Sequence, residues 1–177
     1  MSSEQVLRPP LVYGTLDTGL VFIPEDEALY TLFFEHMSAD DVRMRFFTAR
    51  PDLSHKFLAR MTQVDYAREM AFVAISVAES ELLGIARLIA EPDYVRAEFA
   101  ILVRSDLKGR GLGWRLMQHL IAYARSEGLL EIHGQVLASN ATMLKMCSEL
   151  GFEIEATDAD IGLRLVRLKL SGGAPSA

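Results

Sequence analysis

Six residues, Lys108-Gly-Arg-Gly-Leu-Gly113, constrain this chain more than any others. Before them lies an apolar, β-rich run. After them Leu112, Leu116, Met117, Leu120, Ile121 and Ala124 recur at helical spacing on one face. A strand must therefore become a helix across Gly109, Gly111 and Gly113. A helix N-terminus offers unpaired N–H groups and a positive dipole end, and glycines let backbone close around an anion because they carry no Cβ. Lys108, Arg110 and Arg115 add charge. The segment predicts a local phosphate-type anion site. It is not a P-loop, since no Gly-Lys-Ser/Thr follows. It is not the dinucleotide fingerprint either, because Trp114 and Leu116 stand where the third glycine would fall in the two possible frames.

The rest of the chain arranges itself around that turn. Gly19 to Ile23 reads as a short strand, and Pro24 opens a helix to about Met37 with Glu25, Asp26 and Glu27 in its first turn. Ser38 caps a second helix, with Asp41 at the capping-box position, and Ser54 caps a third over His55 to Met61. The period then changes. Met70–Val77, Leu82–Ala90 and Val95–Arg104 form three strands joined by turns at Glu79-Ser80 and Pro92-Asp93, an antiparallel meander. Gly128 stops the helix after the glycine turn, and Leu130 to Leu137 is a strand. Ser139 or Asn140 caps a helix that ends at Gly151. Phe152–Ala156 and Leu163–Leu170 are the last strands. Residues 1–10 read as a flexible arm and 171–177 as a flexible tail, leaving one α+β domain over 11–170.

Composition narrows the functions. The net charge of -6 argues against a nucleic-acid binder, which needs clustered cations over a broad surface. The single cysteine, Cys147, permits neither an internal disulfide nor a cysteine metal cluster, and His36, His55, His119 and His133 lack ligand spacing, so no metal is expected. No apolar run approaches a membrane span, and Met1-Ser-Ser-Glu4 does not read as a secretory signal. The expectation is a cytoplasmic protein without nucleic-acid or membrane partners.

These residues resemble the GNAT superfamily of N-acetyltransferases. The family's pyrophosphate motif, Gln/Arg-x-x-Gly-x-Gly/Ala, is met by Lys108 to Gly113 with lysine at the first position, which keeps the charge but loses bidentate geometry. The family's Asn-initiated helix ending in Gly-Phe is matched by Asn140 and Gly151-Phe152. Pro24 to Glu27, Leu58 to Tyr66, Arg68 to Ala71, Arg96 to Ala100 and Val136 to Asn140 look like the acetyltransferase domain of bacterial Pat-type protein lysine acetyltransferases. The resemblance implies a mixed, mostly antiparallel sheet with a splayed central strand pair and flanking helices. It implies acetyl-CoA as cosubstrate, with Ile101, Leu102 and Val103 on the pantetheine. It further implies Lys108, Gly109, Arg110, Gly111, Leu112, Gly113 and Trp114 on the pyrophosphate, and Asn140 at the cofactor end.

Amine acylation needs a neutral amine, hence a base. Glu98 is the expected base, since it lies in the strand before the turn and matches the Pat-type glutamate; pairing with Arg87 or Arg96 is the competing role. Glu69 and His133 are lesser candidates, and Asp65, Tyr66 and Arg68 are acceptor contacts or linker. Family members often place a tyrosine general acid where this chain has Cys147. That cysteine lies on an inward face with Met143, Leu144 and Leu150, as a packing residue does. The expected acceptor is a protein lysine. The alternatives are a polyamine, amino acid or antibiotic, or no turnover at all in an acyl-CoA-binding regulatory module. Oligomeric state is not legible.

Overall fold

The computed structural model describes residues 20–21, 27–47, 54–62, 65, 67–76, 81–157 and 162–170. The expected arm and tail, the Pro24 helix start, the Glu79-Ser80 turn and Tyr66 lie outside the described residues. In chain order the elements are β1 (Leu20–Val21), α1 (Glu27–Glu35), α2 (Ala39–Phe46), α3 (His55–Thr62), β2 (Glu69–Ser76), β3 (Glu81–Ala90) and β4 (Arg96–Val103). A 3₁₀ turn (Ser105–Leu107) leads to α4 (Leu112–Ser126), β5 (Glu131–Leu137), α5 (Ala141–Glu149), β6 (Glu153–Ala156) and β7 (Leu163–Lys169). The strands form one sheet in the order β1-β2-β3-β4-β5-β7-β6. Every pairing is antiparallel except β4 with β5. That is the expected mixed, mostly antiparallel α+β architecture.

Both faces of the sheet are covered, which explains why β2 reads as a nearly continuous apolar run. Phe72 and Ala74 point into a core shared with Leu116, Leu120 and Cys147 of α4 and α5. Val73 and Ile75 point into a second core with Phe33 and Phe34 of α1, Val42 of α2 and Leu58 of α3. A bulge in β3 between Leu82 and Gly84 resets the alternation, so Leu82 and Ile85 share the second core. At Gly84 a Cβ would stand 2.8 Å from Leu116 Cδ1 and 3.2 Å from the Leu102 carbonyl, so glycine lets α4 lie close on the meander.

Helix ends follow local chemistry. Gly128 and Gly151 take positive φ and stop α4 and α5. The first helix ends at Glu35, two residues before the expected Met37, because His36 and Met37 turn back to the Phe33 and Phe34 carbonyls. At α2 only half of the expected capping box forms. Ser38 Oγ accepts from the Asp41 N–H at 3.1 Å. The reciprocal bond is absent, since the Asp41 carboxylate turns to Ser105 and Lys108, and the Ser38 N–H donates to Ser105 Oγ instead. A cationic donor outcompetes a neutral backbone N–H for a carboxylate.

Candidate functional site

The site begins where β4 and β5 part. Only three parallel pairs join them: Arg96 with Glu131, Ala97 with Ile132 and Glu98 with His133. Beyond Glu98, β4 continues along β3 to Val103, and β5 continues along β7 to Leu137. Each strand therefore presents one backbone edge to a gap. Phe99 wedges the fork. Its ring lies edge-on to Phe152 with centroids 5.4 Å apart, and a Cβ on Gly134 would stand 3.0 Å from it. Glycine at 134 gives that ring its room.

The gap opens into a cleft of about 510 Å³. Of the sequence-predicted residues, Glu98, Ile101, Leu102, Val103, Lys108, Gly109, Gly111, Leu112, Gly113, Trp114 and Asn140 all line it. Arg110 is exposed and does not, and neither does Arg115, so these two cations flank the turn from outside. Gly109 and Gly111 have φ of 75° and 84°, the left-handed region that disfavours side chains, and no atom lies within 4 Å of a Cβ built on either. Gly111 starts α4 without a side-chain cap. The first-turn N–H groups of a 15-residue helix therefore stand open at the cleft, with the dipole behind them. Asn140 Oδ1 accepts from the Met143 N–H at 3.2 Å and caps α5, which leaves its amide NH₂ as the polar group available to the cleft.

The opposite wall comes from α2 and its ends: Met37, Asp41, Met44, Arg45 and Phe47. Sequence reasoning read Asp41 only as a cap and did not single out the others. Nothing in the local pattern marks them, since a Met-Arg-Phe-Phe run in the last turn of a capped helix reads as packing. Asp41 carries the link between the walls. It accepts from Ser105 Oγ at 2.5 Å and pairs with Lys108, the first residue of the glycine turn. Burial works to raise its pKa, but the bonds from Lys108, Ser105 and Ser38 outweigh it and hold Asp41 below the ordinary carboxylate value. Arg104, at the end of β4, is fixed by Asp106 and Glu81 and holds its proton more tightly than an ordinary guanidinium, first through the Asp106 bonds.

Glu98 sits at the apex of the fork, in the last pair before the strands separate, and its residue is exposed to the cleft. Neither competing partner holds it: Arg87 pairs with Glu69 at 2.6 Å and Arg96 with Glu91 at 2.7 Å. Among the described residues Glu98 has no ion pair. The lesser candidates fall elsewhere. Glu69 is engaged by Arg87, and His133, though paired in register with Glu98, has its Nε2 3.0 Å from Glu91 and does not line the cleft. Asp65 accepts from the Ala67 N–H, and Arg68 donates to the Ala90 carbonyl, so both brace the turn entering β2. Cys147 is fully buried and does not line the cleft. Burial pushes its thiol up to about 12. A thiol so placed is a core group.

Residues 30–152 match the family model described as the acetyltransferase (GNAT) family. Acetyltransferase PA5475 of Pseudomonas aeruginosa is 32% identical over 130 residues, covering 72% of this chain and 70% of that protein. An L-methionine sulfoximine/L-methionine sulfone acetyltransferase of Pseudomonas paraeruginosa is 36% identical over 70 residues, 40% of this chain and 41% of that protein. Among solved structures, the GNAT domain of S. lividans PAT superposes with a TM-score of 0.76 at 25% identity, covering 85% of this chain and 90% of that one.

Proposed function

This chain belongs to the acetyltransferase (GNAT) family, with acetyl-CoA as cosubstrate, and from that premise we propose that its cleft acylates a primary amine with Glu98 as general base. The observation that carries the reading is the position of Glu98. It stands at the apex of the fork without an ion pair among the described residues, at one end of a cleft whose other end is the open N-terminus of α4.

The residues fit the cosubstrate on their own geometry: glycines open to solvent at an uncapped helix start, and two strand edges facing one gap. The N–H groups from Lys108 to Trp114 hold the pyrophosphate, with Arg110 and Arg115 adding charge from outside. The free edge of Ile101, Leu102 and Val103 pairs with the pantetheine amides and orients the thioester. Asn140 donates from the far side. Bound acetyl-CoA supplies the acetyl group as a thioester. An alkylammonium has a pKa of about 10.4 and is no nucleophile until it loses a proton. Glu98 takes that proton, directly or through one water, and so raises the neutral fraction at the point of attack. As the C–N bond forms the acyl C–S bond breaks, and CoA leaves as a thiolate that takes its proton from solvent; the buried Cys147 takes no part.

Two acceptor classes have support. The resemblance of Arg96 to Ala100 and Val136 to Asn140 to Pat-type protein lysine acetyltransferases supports a protein lysine. Likeness to the methionine sulfoximine acetyltransferase supports a small amino acid. Thiol release from acetyl-CoA, followed with lysine peptides, polyamines and free amino acids, tests the reading. Amine-dependent release with one class supports it. Cofactor binding with no amine-dependent release from any class overturns it.

A further inference from the structure

The charges lining the cleft divide unevenly. Its three carboxylates are Asp41, Glu98 and Glu149, and its three cations are Arg45, Lys108 and Lys145. Asp41 is taken by Lys108, and Glu149 by Lys145 at 3.8 Å. One anion and one cation remain without an ion-pair partner among the described residues: Glu98 and Arg45. They face the same cleft and act on each other's charge, yet they do not close to within the 4.0 Å of an ion pair. Arg45 also packs on an aromatic ring. It is half-buried on α2, with its guanidinium carbon 5.0 Å from the centroid of the Phe46 ring.

A half-buried guanidinium with no hydrogen-bonded anion is a site that wants one, because its donors are partly stripped of water and unmatched. Burial pulls its proton affinity below the ordinary arginine value. Glu98 counters that, and Arg87 adds to it. The residue stays charged across the physiological range, since even a lowered arginine lies far above it.

We propose that Arg45 binds a carboxylate of the acceptor while Glu98 faces its amine, so that the enzyme selects free α-amino acids over protein lysines and over simple amines. The inference rests on the assignment of Glu98 to the acceptor end. A free α-amino acid presents an ammonium and a carboxylate on one carbon, the same complement of charges that the cleft leaves unanswered. A lysine side chain in a protein brings only the cation. Met37, Met44 and Phe47 edge the same wall, so the side chain that suits it is apolar or thioether-like.

The test compares matched pairs: L-methionine against 3-(methylthio)propylamine, L-phenylalanine against phenethylamine, and a doubly blocked lysine peptide. Turnover is read by thiol release, and binding to the protein–CoA complex by calorimetry. Arginine is replaced in Arg45→Gln and, keeping the charge without the fork, in Arg45→Lys. The wild type is expected to favour each amino acid over its carboxylate-free partner by at least tenfold in kcat/KM. Arg45→Gln should erase that preference by losing about 10- to 100-fold on the amino acid and less than threefold on the amine. Arg45→Lys should fall between. Equal turnover of both members of a pair by the wild type would overturn the proposal, as would an Arg45→Gln loss shared equally by both, or the absence of saturable amino-acid binding. Binding separates this from the base assignment. Glu98→Gln should abolish most turnover while amino-acid binding stays sensitive to Arg45.

Discussion

Two walls of the cleft, apart from the side closed by β5 and α5, are built by different means. One runs almost continuously through the sequence, from Glu98 along β4 and through the glycine turn to Trp114, and it offers mainly backbone. The other is one side of α2, some sixty residues earlier, and it offers side chains: Asp41, Met44, Arg45 and Phe47. Backbone binding suits a ligand common to a family, because it depends on where glycines and a helix start fall. Side-chain binding suits a ligand that differs between relatives, because each side chain can be exchanged without moving the frame. Asp41 joins the walls through Lys108 and Ser105.

Substitutions on the two walls should therefore fail differently. The largest effect belongs to Gly111→Asp. It puts an anion at the proposed pyrophosphate site and a side chain at φ 84°. Acetyl-CoA affinity by calorimetry should drop at least about 10³-fold with the circular dichroism of the folded chain preserved, since loss of backbone contacts and added like charge act together. Unchanged affinity would break the division into walls. Next is Asp41→Asn, which loosens the link. Its folded pKa is lowered, so Asp41 contributes stability above the ordinary carboxylate value of 3.8, and that contribution is lost as pH falls through the folded value. The variant should melt several degrees below the wild type at pH 6, and the difference should vanish near pH 2. A constant gap across that range would show that Asp41 acts only through packing. The smallest effect on turnover is expected for Cys147→Ala, within about threefold, with a stability loss of about 1–2 kcal/mol from the cavity, read by chemical denaturation. A loss of orders of magnitude with cofactor binding retained would give the thiol a chemical role that its burial denies.

The same division governs what could be read in advance. The glycine turn, the meander and α4 are legible because each is set by short-range rules: breakers, alternation and helical spacing. Gly128 and Gly151 announce their helix ends in the same way. The splay is not local. Three parallel pairs before a fork leave no periodic mark, and the expectation came from family resemblance. The capping box at Ser38 was only half right, because Lys108 and Ser105, distant in sequence, draw Asp41 away. Arg45 was invisible for the same reason. Its meaning depends on which other charges in the cleft are already paired, and that is a property of the folded arrangement.

The central claim is that Glu98 at the fork supplies the base while the glycine turn holds the cosubstrate. It is tested most directly by the pH dependence of kcat/KM for wild type and Glu98→Gln, with acetyl-CoA affinity measured alongside. The substitution keeps size and polarity and removes the proton acceptor. The rate should fall about 10²- to 10⁴-fold at neutral pH. The deficit should narrow as pH rises towards the amine's own pKa, and acetyl-CoA should bind both proteins within about twofold. Equal rates for the two proteins at every pH would contradict the account and leave Glu98 a strand residue without a part in the chemistry.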